Sequence, residues 1–216
     1  MAFEYAYDLS GCAYPVIKEF DVADGTHFFK GEIVRLTDGY LVAGATDYTT
    51  DYIGVACFDK VASDGQTRMK VYCSPTAVYK VPAIETTVTA TPSTTVWTDS
   101  TVLLNTTADT ANGGKLKIKS LVTGHTGTYV PGKVIPITDS ATNTLTGAAA
   151  SFPGSTTVGD VAYFFPPIGL LGITASADHA LTLTWAATTG TALRVIGHDL
   201  ENNKVEVMIA LHEFVN

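Results

Sequence analysis

Histidine and carboxylate side chains are the first candidates for chemistry in this sequence. The chain has five histidines, which are His27, His125, His179, His198 and His212. None follows the H-x-H or H-E-x-x-H spacing that places two imidazoles on one metal ion. His198-Asp199 has the residue types of a general base and the carboxylate that orients it. The sequence specifies no nucleophile for this pair, and Asp is common in turns, so we expect a turn at this position.

The other site signatures are incomplete. Gly113-Gly114-Lys115 lacks the earlier glycine and the following Ser or Thr of a phosphate-binding loop. The three cysteines, Cys12, Cys57 and Cys73, have no C-x-x-C spacing and no further soft ligands to complete a zinc site. A carboxylate pair for glycoside cleavage would come from separate strands, so that alternative stays open. We expect no catalytic residue, no metal site and no cofactor.

The composition indicates the elements that carry these residues. Hydrophobic residues make up 46% of the 216 residues and charged residues 16%. Thr accounts for about one residue in seven, where average proteins use residues more evenly. Thr, Val and Tyr favour strands, while the good helix formers Glu, Lys, Gln and Arg are scarce. We therefore predict an all-β fold with almost no helix, built as two small β-barrel or β-sandwich domains.

Hairpin signals recur along the chain. The stretch GEIVRLTDGYLVAG, from Gly31 to Gly44, has two apolar runs around Asp38-Gly39, which predicts a tight hairpin. A second turn at Asp64-Gly65 precedes the alternating run RMKVY. If that turn centres the ladder, facing residues have numbers that sum to about 129 or 130. We therefore predict that Cys57 and Cys73 lie close together as reduced thiols.

Composition shifts suggest three segments. We predict an N-terminal arm over residues 1–24, a first β-domain over 25–85 and a second, elaborated β-domain over 86–216. GTHFFKGEIVRLTD, from Gly25, resembles GTYVPGKVIPITD, from Gly127, and IGVACFD with RMKVY has an echo in LRVIGHDLENNKVEV. These matches predict that the second domain is a distant repeat of the first. The final hairpin turns at Glu201-Asn202-Asn203.

Two aromatic stretches are candidates for contact surfaces. Phe3, Tyr5 and Tyr7 alternate with polar or small residues, so a strand would place all three on one face. That strand either forms an edge of its own domain or reaches a neighbouring molecule. The stretch VAYFFPPIGLLGI, whose aromatic and leucine content indicates either core or contact surface, contributes the other candidates, and its two prolines exclude a regular central strand there. These second candidates are Phe164, Phe165, Leu170 and Leu171.

The charge pattern argues against some partners. The chain carries 13 basic and 21 acidic residues, for a net charge of −8. Nucleic-acid affinity depends on clustered Lys and Arg, and these are scattered. An anionic membrane surface is disfavoured for the same reason, and no apolar run reaches the length of a membrane span. MAFEYAYDLSG lacks the pattern of a secretion signal, so we expect synthesis in the cytoplasm.

GEIVRLTDGYLVAGATDYTTDYIGVACFD resembles the head decoration, or cement, proteins of tailed bacteriophages. The closing LRVIGHDLENNKVEVMIALHEF is similar to the last hairpin of capsid-associated domains. The resemblance covers about a third of the chain. It implies a non-enzymatic structural protein on the outer capsid surface of the virion, where it clamps neighbouring capsomers. The implied partners are the major capsid protein and other copies of the chain, with a homotrimer favoured.

Two other functions remain alternatives. A receptor- or carbohydrate-binding β-module of a phage head fibre or tail would expose the aromatic residues of YFFPPIGLL. A β-sandwich hydrolase would spread its site across several strands, with His198 and nearby carboxylates as the first residues to replace.

Overall fold

The computed structural model describes residues 2–11, 14–44, 52–90, 93–101, 110–125, 127–148, 151–169, 171–175, 183–185 and 193–210. For residues 171–175 and 183–185 it describes the backbone alone. These residues form an all-β structure without helix, which confirms the predicted fold class. No helix in the described ranges is long and apolar enough to cross a membrane.

The described strands form three sheets. They are β1 (Glu4–Asp8), β2 (Ile17–Asp21), β3 (Ile33–Thr37), β4 (Tyr40–Ala43), β5 (Gly54–Ala56), β6 (Arg68–Tyr72), β7 (Ala77–Pro82), β8 (Ile84–Thr87), β9 (Val96–Thr98), β10 (Lys115–Ser120), β11 (Val134–Ala141), β12 (Thr144–Gly147), β13 (Val161–Phe165), β14 (Leu171–Ala175), β15 (Leu183–Trp185), β16 (Leu193–Asp199) and β17 (Lys204–Ile209).

The first sheet has the strand order β2-β6-β5-β3-β4. Asp38 and Gly39 both have positive φ, 52° and 84°, as a type I′ turn requires, and they join β3 to β4 as predicted. A parallel bridge between Val22 and Leu41 brings the two edges of the sheet together. The curled sheet encloses a core with completely buried side chains such as Phe28 and Met69.

The predicted register between β5 and β6 is wrong. The structure pairs Val55 with Tyr72 and continues so that the Cys57 N–H donates to the Lys70 carbonyl oxygen. Facing numbers therefore sum to 127, so Cys57 faces Lys70 rather than Cys73 in the ladder, although the Cys73 thiol is still near enough to contribute to the raised pKa of Cys57. The connection is not a tight hairpin, because it leaves the ladder after Cys57 and forms a separate bridge between Phe28 and Lys60. Cys57 and Cys73 are both free thiols.

The second sheet has the order β8-β13-β10-β11-β12-β9, which matches the first in spatial order apart from the added β9. Ala56 exchanges two backbone hydrogen bonds with Gly31–Glu32, and Ile118 does the same with Gly132–Lys133. The sequence match between the regions after Gly25 and Gly127 thus has a counterpart in backbone geometry. The connectivity differs, because β5 follows the β3–β4 hairpin while β10 precedes the β11–β12 hairpin.

The third sheet, β1-β7-β17-β16-β14-β15, contains both the first and the last described strands. The final hairpin has the predicted turn and the predicted burial, with Val205 and Val207 completely buried. The sequence match of LRVIGHDLENNKVEV with IGVACFD and RMKVY predicted that β16 and β17 would be the counterparts of β5 and β6. The structure differs, because β16 and β17 lie in the third sheet and not in the second, where those counterparts would be.

The chain divides into two compact units that differ from the predicted domains. The first contains Met1–Pro82, Leu171–Gly197 and Val205–Asn216, and the second contains Ala83–Leu170 and His198–Lys204. The first boundary lies close to the predicted residue 85. Residues 1–24 do not form a separate arm, because β1 pairs with β7 and β2 pairs with β6 in the same unit. The sequence left open whether β1 is an edge strand of its own domain or reaches a neighbouring molecule. In the structure β1 is an edge strand of its own unit.

Candidate interaction surface

His198 is held as a packing group. Its Nε2 lies 2.6 Å from the Pro166 carbonyl oxygen, which can only accept, so Nε2 carries the proton. Burial lowers the pKa of His198, which keeps the ring neutral. Its Nδ1 has no hydrogen-bond partner, and the Asp199 carboxylate accepts hydrogen bonds from Asn202 in the predicted turn. A base oriented by a carboxylate needs the His-Asp contact that this geometry lacks.

A second cluster joins two loops of the second unit around Asp160, which is completely buried. One oxygen of Asp160, Oδ2, lies 2.9 Å from His125 Nδ1 and accepts hydrogen bonds from the Tyr129 hydroxyl at 2.5 Å and the Thr157 N–H at 2.9 Å. Burial, followed by the bond to Asp160, raises the pKa of Tyr129. The sequence analysis missed this cluster, because no local motif links residues 125 and 160.

The cluster has residue types of a catalytic triad but not its geometry. The Thr157 hydroxyl and the Asp160 carboxylate both approach His125 at Nδ1, with the hydroxyl at 3.2 Å. A triad requires the nucleophile and the orienting carboxylate at opposite ring nitrogens. The other nitrogen, Nε2, has no hydrogen-bond partner, and a Cβ on Gly127 would lie only 2.3 Å from it. These interactions therefore hold the loops together.

Two further aspartates are surrounded by hydroxyl groups. Asp8, at the end of β1, accepts hydrogen bonds at Oδ1 from the Ser10 N–H, the Ser10 hydroxyl and the Thr76 hydroxyl, at 2.8, 2.6 and 2.6 Å. Burial alone would raise the pKa of Asp8, but hydrogen bonds from Ser10, Ser74 and Thr76 outweigh it and hold the pKa well below its ordinary value. Asp8 thus remains a carboxylate that fastens the end of β1 to the loop before β7.

Asp99 has the same arrangement in the second unit. It is completely buried and accepts hydrogen bonds from the hydroxyls of Thr86 and Thr101 at 2.7 and 2.6 Å. Burial opposes its ionisation, but these bonds, with those from the N–H groups of Thr87 and Thr101, lower its pKa. Part of the high Thr content thus serves to solvate buried carboxylates.

Three of the predicted contact residues are core residues. Phe3 is 2% exposed, and Phe164 and Phe165 are completely buried. The reason for the latter pair is that β13 is an internal strand, paired on one side with β8 and on the other with β10. Leu171 begins β14, whose backbone alone is described, and Leu170 lies outside the described residues. Phe3, Phe164 and Phe165 therefore offer no surface to a partner.

Tyr5 and Tyr7 do not share one face of the strand, as the sequence predicted they would, because the register shifts between them. Tyr5 is half-buried and stacks on Tyr72, with ring centroids 5.5 Å apart, while Tyr79 meets it edge-on at 6.4 Å. A register shift between Tyr5 and Tyr7 leaves the latter 40% exposed. The Tyr7 hydroxyl donates to Glu206 at 3.1 Å.

The exposed apolar side chains are concentrated in one stretch that runs from the end of β1 to the start of β2. We define the N-terminal segment as residues 7–11 and 14–17. It holds five of the eleven large apolar side chains exposed in the described part of the chain: Tyr7 at 40%, Leu9 at 54%, Tyr14 at 83%, Val16 at 41% and Ile17 at 46%. Scattered single apolar residues are ordinary on a protein surface, whereas several of them close together in the chain make that stretch a candidate for an interaction site. The N-terminal segment is the candidate interaction surface.

Within the described residues, no group of three or more His, Cys, Asp or Glu side chains could hold a metal ion. No family profile, no curated protein and no solved structure matches this chain.

Proposed function

We propose that this chain is a structural virion protein that binds the outer surface of a phage capsid and stabilises the head by clamping neighbouring capsomers. The partners are the major capsid protein and further copies of the chain, in a trimeric arrangement. The observation that carries the proposal is the concentration of exposed apolar side chains in the N-terminal segment of a chain in which charged residues make up only 16% of the sequence. The sequence resemblance supports the same role.

The size of the surface favours repeated binding over a single strong contact. Burying the five side chains removes on the order of 300 Å² of apolar surface from water, which contributes about 7 kcal/mol at about 25 cal/mol per Å². Association costs roughly 4–15 kcal/mol in lost translational and rotational freedom. One segment therefore binds weakly, and several segments in one oligomer bind a lattice tightly through their effective concentration.

The experiment is co-sedimentation with expanded capsids of the virus that encodes the chain. The test variant replaces Tyr14 and Val16 with Ser. Its matched control replaces Tyr40 and Val61, which are an exposed Tyr and an exposed Val elsewhere in the first unit, at 52% and 63%. We expect the wild type and the control to co-sediment and to raise the capsid disruption temperature, while the test variant binds at least tenfold more weakly.

Two results overturn the proposal. If the wild type stays in the supernatant at saturating capsid, the chain does not bind the shell. If the Tyr14 and Val16 variant binds like the control, the N-terminal segment is not the contact surface. The carbohydrate-binding alternative gains no support from Phe164 and Phe165, because both are buried.

A further inference from the structure

We infer that residues 130–134 of the second unit, which we call the Gly132 loop, are a docking site for an extended segment of a partner protein. The segment places a small residue over Gly132 and buries the aromatic residue that follows it. This inference goes beyond the proposed function and does not depend on it, because it involves neither the N-terminal segment nor a capsid. Its basis is that the first unit covers the same structural element with its own chain, while the second unit leaves it uncovered.

The Gly132 loop and residues 29–33 of the first unit have the same backbone hydrogen bonds. In each loop the residue after the glycine donates its N–H to the carbonyl oxygen three residues earlier, at 3.1 Å. The glycine N–H donates to the neighbouring strand, to Ala56 in the first unit and to Ile118 in the second, at 2.9 and 2.8 Å. Gly31 and Gly132 have φ of 81° and 87°. The two loops are therefore the same structural element.

In the first unit, Ala2 and Phe3 lie on this element. A Cβ on Gly31 would be 2.3 Å from the Ala2 Cβ and 2.9 Å from the Phe3 carbonyl oxygen, so a glycine is needed for the contact. The Phe3 N–H donates to the Gly31 carbonyl oxygen at 3.0 Å, and Phe3 is only 2% exposed. The element thus takes a small residue over the glycine, a backbone donor for its carbonyl oxygen and an aromatic side chain beside it.

In the second unit, no described residue lies over Gly132. A Cβ on Gly132 would have no heavy atom within 4 Å, and no donor in the described part of the chain bonds its carbonyl oxygen. On either side, Val130 and Val134 are 61% and 38% exposed, whereas Ile33, the counterpart of Val134, is completely buried. The Gly132 loop therefore presents an acceptor and two apolar side chains, which a segment like Ala2–Phe3 would cover.

The occupant is a segment of another protein, because this chain's own Ala2 and Phe3 are already in place on Gly31. A second copy would have to withdraw these residues from its own first unit, where Phe3 is buried. An extended peptide suits the site because its main-chain N–H groups supply hydrogen bonds, while its side chains supply specificity. The sequence that the site recognises is a small residue followed by an aromatic one.

The probe for the experiment is the capped hexapeptide MAFEYA, which has the sequence of residues 1–6. It is added to the isotope-labelled full chain up to about 5 mM, because so small a contact binds in the millimolar range. The amide chemical shifts of the chain are followed by NMR. We expect saturable shifts in the Gly132 loop. The matched peptide MAAEYA, which lacks the aromatic side chain, should cause shifts at least fivefold smaller at the same concentration.

Gly132→Asn is the test variant, because Asn tolerates a positive φ and its side chain fills the place of the small residue. Gly113→Asn is the matched control, since Gly113 also lies in the second unit, with φ of +84° and open space around a Cβ. Gly132→Asn should reduce the peptide-induced shifts at least fivefold, and Gly113→Asn should leave them unchanged.

A second pair of variants leaves the glycine in place, which keeps the test decisive if Gly132→Asn does not fold. Val134→Ser removes an exposed apolar side chain of the Gly132 loop and should weaken peptide binding at least threefold. Val158→Ser removes one that is 53% exposed elsewhere in the second unit and should have no effect. Amide shifts far from each substitution verify that the variant has folded.

The inference is overturned if MAFEYA leaves the Gly132 loop unshifted, or if both variants of either pair bind it equally. Shifts confined to residues 29–33 also overturn it, because the peptide then only exchanges with the chain's own N-terminus. If sedimentation shows dimers of the wild type that Gly132→Asn abolishes, the occupant is a second copy and the inference is wrong. The test contains no capsids, so its failure leaves the co-sedimentation result intact, and failed co-sedimentation leaves this inference intact.

Discussion

Replacing Lys60 with Met tests how the first unit holds a fully buried ammonium group. The Lys60 side chain has no exposed surface, and its Nζ donates to the carbonyl oxygens of Asp24, Thr26 and Val61 at 2.7, 3.1 and 3.2 Å. It also lies 3.1 Å from an Asp64 carboxylate oxygen. Methionine has a similar length but no donor, so the substitution leaves three acceptors and one carboxylate without their partner.

The magnitude follows from these distances and burials. Removing one partner of a buried ion pair costs about 3–5 kcal/mol, and each unsatisfied buried acceptor costs about 1–3 kcal/mol. The side chains of Asp24 and Asp64 are 48% and 26% exposed, so water can reach part of the site. The cost of removing the ammonium group therefore lies at the lower end of the range of about 3–5 kcal/mol. Methionine also avoids the cost of burying a charge. We expect a net loss of about 3 kcal/mol, which lowers Tm by about 6–12 °C in a chain of this size.

Urea and thermal unfolding measure the effect, with Lys70→Met as the matched control. Lys70 is 56% exposed and lies 4.0 Å from Glu19, so its replacement should cost less than about 0.5 kcal/mol. Hydrogen exchange of residues 24–26 and 60–66 should locate the loss in the Lys60 variant. If Lys60→Met and Lys70→Met have the same stability, the carbonyl oxygens do not depend on the ammonium group and the reasoning is wrong.

Three further substitutions have expected outcomes. The pKa of Asp99 in the folded protein lies below the ordinary value of 3.8, so the ionised carboxylate stabilises the fold above about pH 4. This stabilisation is lost as the pH falls through the lowered pKa of Asp99. The stability difference between wild type and Asp99→Asn, measured by urea unfolding, should therefore shrink from pH 7 to pH 3; a constant difference contradicts it. Gly54→Ala should cost more than about 3 kcal/mol, because φ is +151° and a Cβ would lie 1.8 Å from a carbonyl oxygen of β6. Gly65→Ala, with φ of +79° and open space, is its control and should cost about 1–2 kcal/mol; equal losses would rule out the clash. Tyr129→Phe removes the 2.5 Å hydrogen bond to Asp160 and should lower the free energy of unfolding by about 1–3 kcal/mol, whereas an unchanged value would show that the bond contributes nothing.

Local sequence patterns predicted those features that depend on residues close together in the chain. Asp38-Gly39 forms the expected turn because both residues accept the positive φ that a two-residue hairpin needs. The alternation in the last hairpin predicted correctly that Val205 and Val207 are buried. The same reasoning failed for β5 and β6, because the loop between them forms its own bridge and shifts the register.

The candidate surface was only partly predictable. The N-terminal residues were selected for their aromatic alternation, yet Phe3 packs inside and Tyr7 is displaced by a bulge. The exposed side chains of Leu9, Tyr14 and Val16 carry no sequence signature, because a single apolar residue in a loop is as compatible with burial as with exposure. Their exposure follows from the positions of β1 and β2, which lie in two different sheets.

The sequence by itself determined that this chain forms strands, that turns lie at Asp38-Gly39 and at residues 201–203, and that one face of the last hairpin is apolar. These properties depend on backbone preferences and on a period of two residues, which act within a few positions of the chain. Only the tertiary structure decided that the last hairpin, apart from its tip at His198–Lys204, joins the first unit, that Phe164 and Phe165 are internal, and that Asp160 meets His125. Each of these depends on which distant strand becomes a neighbour, and that choice is made by packing between segments far apart in the chain.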